Sequence, residues 1–231
     1  MVDEAIVLAG GLGTRLRGVI GDRPKPMAEI NGRPFLDYLL EYWARQGIKT
    51  VVLAVGYRHE VIRDHFGDTF HGLRLRYAVE ESPYGTGGAI LNALPHTSGP
   101  TVLALNGDTL FRLELRSLLR AHQESGGKLT LALKRMPDCS RYGVVRIDEA
   151  GEVVGFEEKR PRSDGLINGG VYLFEPSWLV GLGLPEVFSF EKELLERYYQ
   201  RHPMLGIPCD GYFIDIGVPE DFERAKRDLT E

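Results

Sequence analysis

The feature that most constrains this chain is a short apolar run, Ala5 to Ala9, that breaks off at Gly10-Gly11 and continues as Leu12-Gly13-Thr14-Arg15. Unbroken apolar residues followed at once by glycines read as a strand buried on both faces and ended by a tight turn. Such strands belong to parallel sheets covered by helices on both sides. A glycine-rich turn at the strand end lets backbone amides approach phosphate oxygens, because no Cβ stands in the way. Taken alone, the same glycines also suit a turn that binds nothing.

Downstream, Phe35, Leu39 and Trp43 recur at four-residue spacing beside Leu36 and Leu40, between Pro34 and Gly47. That spacing predicts an amphipathic helix. Strand, helix, strand, helix and strand signals follow at 50–55, 58–66, 73–79, 86–94 and 101–105, an alternation that predicts a parallel α/β sheet. The stretches 129–133, 143–147, 153–157 and 167–174 then succeed one another with turn residues between them and little room for helices, so added, partly antiparallel strands are expected. After Ser189 a helix carrying Phe190, Leu194, Leu195 and Tyr198 is expected, then a strand over 212–216 and a last helix opened by Pro219. No linker, repeat or low-complexity segment divides the chain, which predicts a single domain over 1–231.

Composition excludes several classes. The 231 residues are 43% hydrophobic, enough for one sizeable core. The net charge of -5 arises from interspersed acids and bases, leaving no basic face for nucleic acid or anionic lipid. Cys139 and Cys209 are the only cysteines and have no metal-ligand spacing, which fits a reducing cytoplasm. With no basic leader and no stretch able to span a bilayer, a soluble cytoplasmic protein that avoids membranes is expected.

Beyond the turn, Arg23-Pro24-Lys25-Pro26-Met27 sets a lysine between two prolines, each of which stiffens the backbone. A lysine held near a phosphate-binding turn suits charge stabilisation on a phosphoryl group, although a surface lysine in such a loop is commonly just solvated. A dinucleotide fingerprint would need glycine where Leu16 stands and an acid near Val55-Gly56-Tyr57. A P-loop would need Lys-Ser/Thr directly after Gly13, where Thr14 and Arg15 stand.

The run Leu8-Ala9-Gly10-Gly11-Leu12-Gly13-Thr14-Arg15-Leu16, with Arg23-Pro24-Lys25-Pro26-Met27 in register behind it, resembles the signature of sugar-1-phosphate nucleotidyltransferases. The resemblance continues in order through Glu80 to Gly88, Asn106-Gly107-Asp108, Phe156-Glu157-Glu158-Lys159, Asn168-Gly169-Gly170 and Asp215-Ile216-Gly217-Val218-Pro219. It implies a Rossmann-like, mainly parallel mixed sheet of the GT-A-like kind with added sugar-binding strands. It also implies a division into a nucleotide-binding half, 1–125, and a sugar-phosphate half, 126–231.

By the same resemblance Arg15, Lys25 and Asp108 are catalytic, and Asp108 and Asp215 hold magnesium against triphosphate oxygens. Leu8, Ala9, Gly10, Gly11, Gly13, Thr14, Glu80, Gly85, Thr86 and Asn106 join Arg15, Lys25 and Asp108 around the nucleotide. Gly143, Glu158, Lys159, Asn168, Gly169 and Gly170 receive the sugar phosphate. Alone, Asp108 reads as a turn carboxylate and Glu157-Glu158-Lys159 as a solvated charge run. The reaction implied is in-line attack of the sugar phosphate oxygen on the α-phosphorus, with pyrophosphate leaving. A phosphate nucleophile is already ionised, which agrees with six scattered histidines that form no nucleophile-base constellation.

Glu80 lies where related enzymes read the base. A carboxylate only accepts hydrogen bonds, so it suits guanine, which presents N1–H beside an exocyclic amine, and repels the carbonyls of uracil and thymine. GTP is therefore expected. At closer range Gly85-Thr86-Gly87-Gly88-Ala89-Ile90, Arg141-Tyr142-Gly143 and the segments 166–172 and 212–221 resemble D-glycero-α-D-manno-heptose 1-phosphate guanylyltransferases. Those enzymes supply GDP-heptose for bacterial surface polysaccharides such as lipopolysaccharide, capsule or S-layer glycan. Mannose 1-phosphate and other sugar phosphates remain open at this point, as does a homo-oligomer. No hexapeptide repeat follows Asp215, so no C-terminal β-helix is expected. A non-catalytic nucleotide-sugar sensor and a glycosyltransferase are the competing readings; Arg15, Lys25, Asp108 and Asp215 weigh against the first, and the glycine turn with Lys25 against the second.

Overall fold

A computed structural model describes residues 2–11, 13, 18, 21–158 and 163–230. In the first half the strands are β1 (Glu4–Leu8), the short hairpin β2 (Glu29–Ile30) and β3 (Arg33–Pro34), β4 (Thr50–Val55), β5 (Thr69–Phe70), β6 (Leu73–Val79), β7 (Val102–Asn106) and β8 (Thr109–Phe111). The second half adds β9 (Leu129–Asp138), β10 (Val144–Ile147), β11 (Val153–Glu157), β12 (Ser163–Phe174), β13 (Leu205–Cys209) and β14 (Phe213–Asp215). The helices are α1 (Phe35–Arg45), α2 (His59–Phe66), α3 (Gly85–Ala93), α4 (Leu115–Ser125), α5 (Pro176–Gly181) and α6 (Pro219–Asp228).

β1 lies at the centre of the main sheet, parallel to β4 on one side and β7 on the other, with β6 parallel beyond β4. The full path runs β11-β10-β12-β7-β1-β4-β6-β5, with β9 pairing β12 and β13 pairing β9. β12 is antiparallel to β7, β9 and β10, so the second half continues the sheet with reversed polarity. This is the mixed, mainly parallel central sheet with added strands that the resemblance implies. Its apolar runs are double-sided: Ala5 and Val7 join the core under α1, α2, α4 and α6, while Ile6 joins the opposite core with α3, α5 and the segment around Phe190. α1 follows the same logic, burying Phe35, Leu36, Leu39, Leu40 and Trp43 on one stripe.

Several elements escaped the sequence reading: the short strands β2, β3, β5 and β8, and also α4, α5 and β13. α4 buries only Leu115, Leu118 and His122 along an otherwise charged segment, too thin a stripe to stand out. α5 is six residues long. β13 carries Gly206 and Pro208, which argue against a strand unless it lies at an edge, and among the described pairings it meets β9 alone as a strand partner. Two strands also outrun their apolar cores: β9 and β12 stay paired from Ser163 opposite Asp138 to Phe174 opposite Leu129, with Arg135 and Asp164 ion-paired at 2.7 Å on the polar stretch. The segment after Ser189 winds as a π-helix, Phe190–Leu195, before one α-turn, Glu196–Tyr198.

At the opposite end of β1 from the glycine turn, Glu4 is buried and its carboxylate accepts the Ser98 N–H at 2.7 Å, the Gly99 N–H at 2.8 Å and the Ser98 hydroxyl at 3.1 Å. Burial pushes this carboxyl up, yet the three donors outweigh it and hold the group below its ordinary value. Its stabilisation is present above the unfolded-state pKa and is lost as pH falls through the depressed folded value. Glu4→Gln is expected to cost about 1–3 kcal/mol at neutral pH, because an amide nitrogen then faces a donor. Paired urea melts at neutral and acid pH check this: the gap between variant and parent should close in acid, and a pH-independent gap would contradict it.

Candidate active site

A cleft of 1380 Å³ opens where the carboxyl ends of the parallel strands converge. Leu8 ends β1, Asn106 ends β7, Gly56 follows β4 and Glu80 follows β6, and all four line it. Gly10, Gly11 and Gly13 form its floor along the turn that leaves β1. Thr14 and Arg15 belong to the same turn in sequence and lie outside the described residues, as does Lys159.

Lys25 opens a short 3-10 turn, Lys25–Met27, with Pro24 before it and Pro26 within it. Its ammonium ion-pairs with Asp108 and stands 3.6 Å from Asp215 Oδ1. The two acids arrive from distant parts of the chain: β14 pairs antiparallel with β8, Asp215 opposite Thr109, and the Ile216 N–H donates to the Asp108 carbonyl at 3.0 Å. Burial and the nearby Asp108 charge push the Asp215 carboxyl up, against Lys25 and the Gly217 N–H, which donates to Asp215 Oδ1 at 2.7 Å. Two carboxylates that share a single cation form an oxygen donor set suited to a hard divalent ion that completes its shell on phosphate. No cluster of three or more metal-ligating side chains occurs among the described residues, so such an ion would depend on ligand oxygens.

On the nucleotide side, the Glu80 carboxylate accepts the Tyr84 N–H at 3.2 Å, and burial lifts its pKa against that bond. A Cβ at position 10 would lie 3.0 Å from Glu80 Oε1, so glycine there leaves the carboxylate its place. Gly85 begins α3 at φ 73°, where a Cβ would stand 2.5 Å from the Phe188 carbonyl. Both Gly85 and Thr86 line the cleft, but the Thr86 hydroxyl accepts the Phe190 N–H at 2.9 Å and so fastens the π-helical turn.

On the other side, Gly143, Glu158, Asn168 and Gly170 line the cleft. The pairing of β12 slips its register between Asn168 and Tyr172, a bulge of the kind that re-aims side chains near sites. Asn168 is locked there: its oxygen accepts the Gly170 N–H at 3.0 Å and its amide donates to the buried Tyr172 hydroxyl at 2.7 Å. Two expected site residues stand behind the wall. Ala9 is buried, its N–H spent on Ala54, and Gly169 backs onto the Phe111 ring, 2.5 Å from where a Cβ would be.

With this geometry in place, comparison with known proteins is decisive: residues 4–231 match the family described as Nucleotidyl transferase. The chain belongs to that family. Two curated relatives are D-glycero-alpha-D-manno-heptose 1-phosphate guanylyltransferases: one from Campylobacter jejuni, 48% identical over 95% of this chain and 96% of its own, and one from Aneurinibacillus thermoaerophilus, 45% identical over 98% of both. Among solved structures, HddC from Yersinia pseudotuberculosis in complex with GMP-PN superposes with a TM-score of 0.88 at 34% identity, covering 98% of this chain and 99% of that one.

This nucleotidyltransferase also has cleft residues that the sequence did not single out as binding groups. Glu191, Lys192 and Glu196 reach it from the π-helical turn and the α-turn behind it, where the sequence pattern spoke only of a helix carrying Phe190, Leu194, Leu195 and Tyr198. Arg141 and Asp221, ion-paired to each other, line the wall beside Asp215. The resemblance runs through Arg141 and Asp221 without giving either a role, and no sequence signal points to Glu191, Lys192 or Glu196. Among the described residues no helix is long and apolar enough to cross a membrane.

Proposed function

We propose that this nucleotidyltransferase joins GTP to D-glycero-α-D-manno-heptose 1-phosphate, forming GDP-heptose and pyrophosphate. The observation that carries the reading is Lys25 poised between Asp108 and Asp215 at the head of a glycine-floored cleft. A phosphate oxygen of the sugar 1-phosphate attacks the α-phosphorus of GTP, a new P–O bond forms, and the bond to the β-phosphate oxygen breaks with its electron pair leaving on pyrophosphate. Lys25 neutralises charge on that leaving group, a role the resemblance extends to Arg15. The nucleophile arrives ionised, so no general base is required. Asp108 and Asp215 are the residues that would hold Mg2+, which when bound supplies charge neutralisation at the phosphates.

Glu80 supports guanine, since its carboxylate accepts from both N1–H and the exocyclic amine. Glu80→Gln is expected to lower the preference for GTP over UTP by about 10-fold or more, because one of the two acceptors becomes a donor. Competition between the two nucleotides in a single assay reads this directly, and an unchanged preference would mean another group reads the base. The heptose rests on the likeness to the two curated relatives, which cover nearly the whole chain.

The deciving assay is pyrophosphate release with magnesium, crossing GTP, ATP, UTP, CTP and dTTP against heptose, mannose, glucose and N-acetylglucosamine 1-phosphates. Turnover confined to GTP and the heptose phosphate is the expected result. A different productive pair would replace the specificity, and silence across the panel would defeat the enzymatic reading.

A further inference from the structure

Three charged side chains beside the acid pair meet where the segment preceding β10 touches the first turn of α6. Arg141 ion-pairs with one oxygen of Asp221, and Arg224 reaches the other at 3.3 Å. Asp221 is buried, whereas the Arg141 side chain is 46% exposed and lines the cleft. Two guanidinium groups thus share one carboxylate, so the cluster keeps an excess positive charge and shows it to the cleft through Arg141. Desolvation works against the Arg141 charge, but the hydrogen bond it donates to Asp221, together with the fields of Tyr142, Asp221 and Asp215, outweighs it. The Arg141 guanidinium also sits 5.6 Å from the Tyr142 ring centroid, a contact that limits its swing.

We infer that Arg141, oriented by Asp221, grips the phosphate group of the sugar 1-phosphate beside the acid pair. The identity of that ligand rests on the proposed function. The incoming phosphate is anionic and must approach a centre that already holds Asp108 and Asp215, so a cation is needed on its own side. Lys25 is assigned to the leaving group, so on this side Arg141 joins Lys159, which the resemblance assigns to the sugar phosphate. Gly143, two residues beyond Arg141, lines the half of the cleft that faces the added strands. A guanidinium matches phosphate with forked, parallel donors, and pairing one part of it with Asp221 fixes its plane while leaving donors over. A simple bolt between this segment and α6 accounts for the Arg141–Asp221 contact but leaves unexplained why the Arg141 side chain stays about half exposed on the cleft wall.

The test uses Arg141→Met, Arg141→Lys and Asp221→Asn in the full chain, with the nucleotide and sugar phosphate that the parent turns over. In Arg141→Met the KM for the sugar 1-phosphate is expected to rise about 10- to 100-fold, while that for the nucleotide stays within about twofold. Methylguanidinium should restore part of the lost rate, and Asp221→Asn should show the same split in smaller measure. An equal rise in both KM values, or an unchanged sugar-phosphate KM, overturns the inference. Calorimetric titration with inorganic phosphate supplies a readout that needs no turnover: Arg141→Met should bind it at least about 10-fold more weakly than the parent. Equal binding by both proteins, or none by the parent, also overturns it. Weakened phosphate binding in Arg141→Met alongside a silent substrate panel would leave this inference standing and remove the proposed function instead.

Discussion

Lys25→Ala is expected to lower turnover by about 10²- to 10³-fold while the chain still folds. The side chain is only 12% exposed and its ammonium is shared by Asp108 and Asp215, so no other described group lies ready to replace it. Its loss has a second signature. Asp215 already has a raised carboxyl, by burial first and by Asp108 next, and removing Lys25 takes away a group that opposes the rise. A carboxyl whose folded pKa exceeds its unfolded value takes up a proton on folding. Its favourable contribution is therefore complete at low pH and is lost as pH rises through the raised folded value. The variant should consequently melt below the parent at neutral pH, with the difference narrowing in acid. Pyrophosphate release and thermal melts across pH measure both effects, and near-parental turnover would remove Lys25 from the phosphoryl-transfer machinery.

Asp108→Asn is expected to reduce turnover by a similar factor, about 10²- to 10³-fold, through loss of a charge with little change of shape. The asparagine oxygen can still accept the Thr109 hydroxyl, which donates to Asp108 Oδ1 at 3.2 Å, so the strand end should stay in place. What changes is the electrostatics: Lys25 keeps only Asp215 as its partner, and the Asp215 carboxyl is relieved of the Asp108 charge. Loss of one of two carboxylates should also weaken divalent-ion binding by about 10-fold or more. Manganese titration followed by electron paramagnetic resonance reads that step without turnover. Normal manganese affinity together with normal rates would assign Asp108 to structure alone.

Much of the first half was legible because its strands obey a local rule. The 50–55 and 73–79 segments are apolar runs or alternations bounded by turn residues, and β4 and β6 occupy those same positions. The strand at 153–157 was read on the same grounds and is β11. The failures share a cause as well. α4 is amphipathic but thin in apolar residues, β13 contains a proline that an edge position tolerates, and the ends of β9 and β12 are polar residues held as strands by each other. In each case a partner distant in sequence supplies the stabilisation, and composition within the segment carries little trace of it.

The site divides in the same way. The glycine turn, the proline-braced Lys25 and the acceptor-only Glu80 were readable as chemistry, since each depends on residue type and on a neighbouring strand end. The meeting of Asp108 with Asp215 was expected only through the resemblance, and the alignment of Arg141 with Asp221 and the return of Thr86 to Phe190 were not readable at all. Neither was the placement of Ala9 and Gly169 behind the cleft wall rather than on it. The sequence by itself determined the alternating α/β order, the double-sided burial of β1 and the phosphate-seeking turn, because these follow from periodicity and backbone freedom within a few residues. Tertiary structure alone decided which charges face one another, because ion pairs between strand ends and helix starts are set by sheet order and register, and those are fixed only when the two cores close on the sheet.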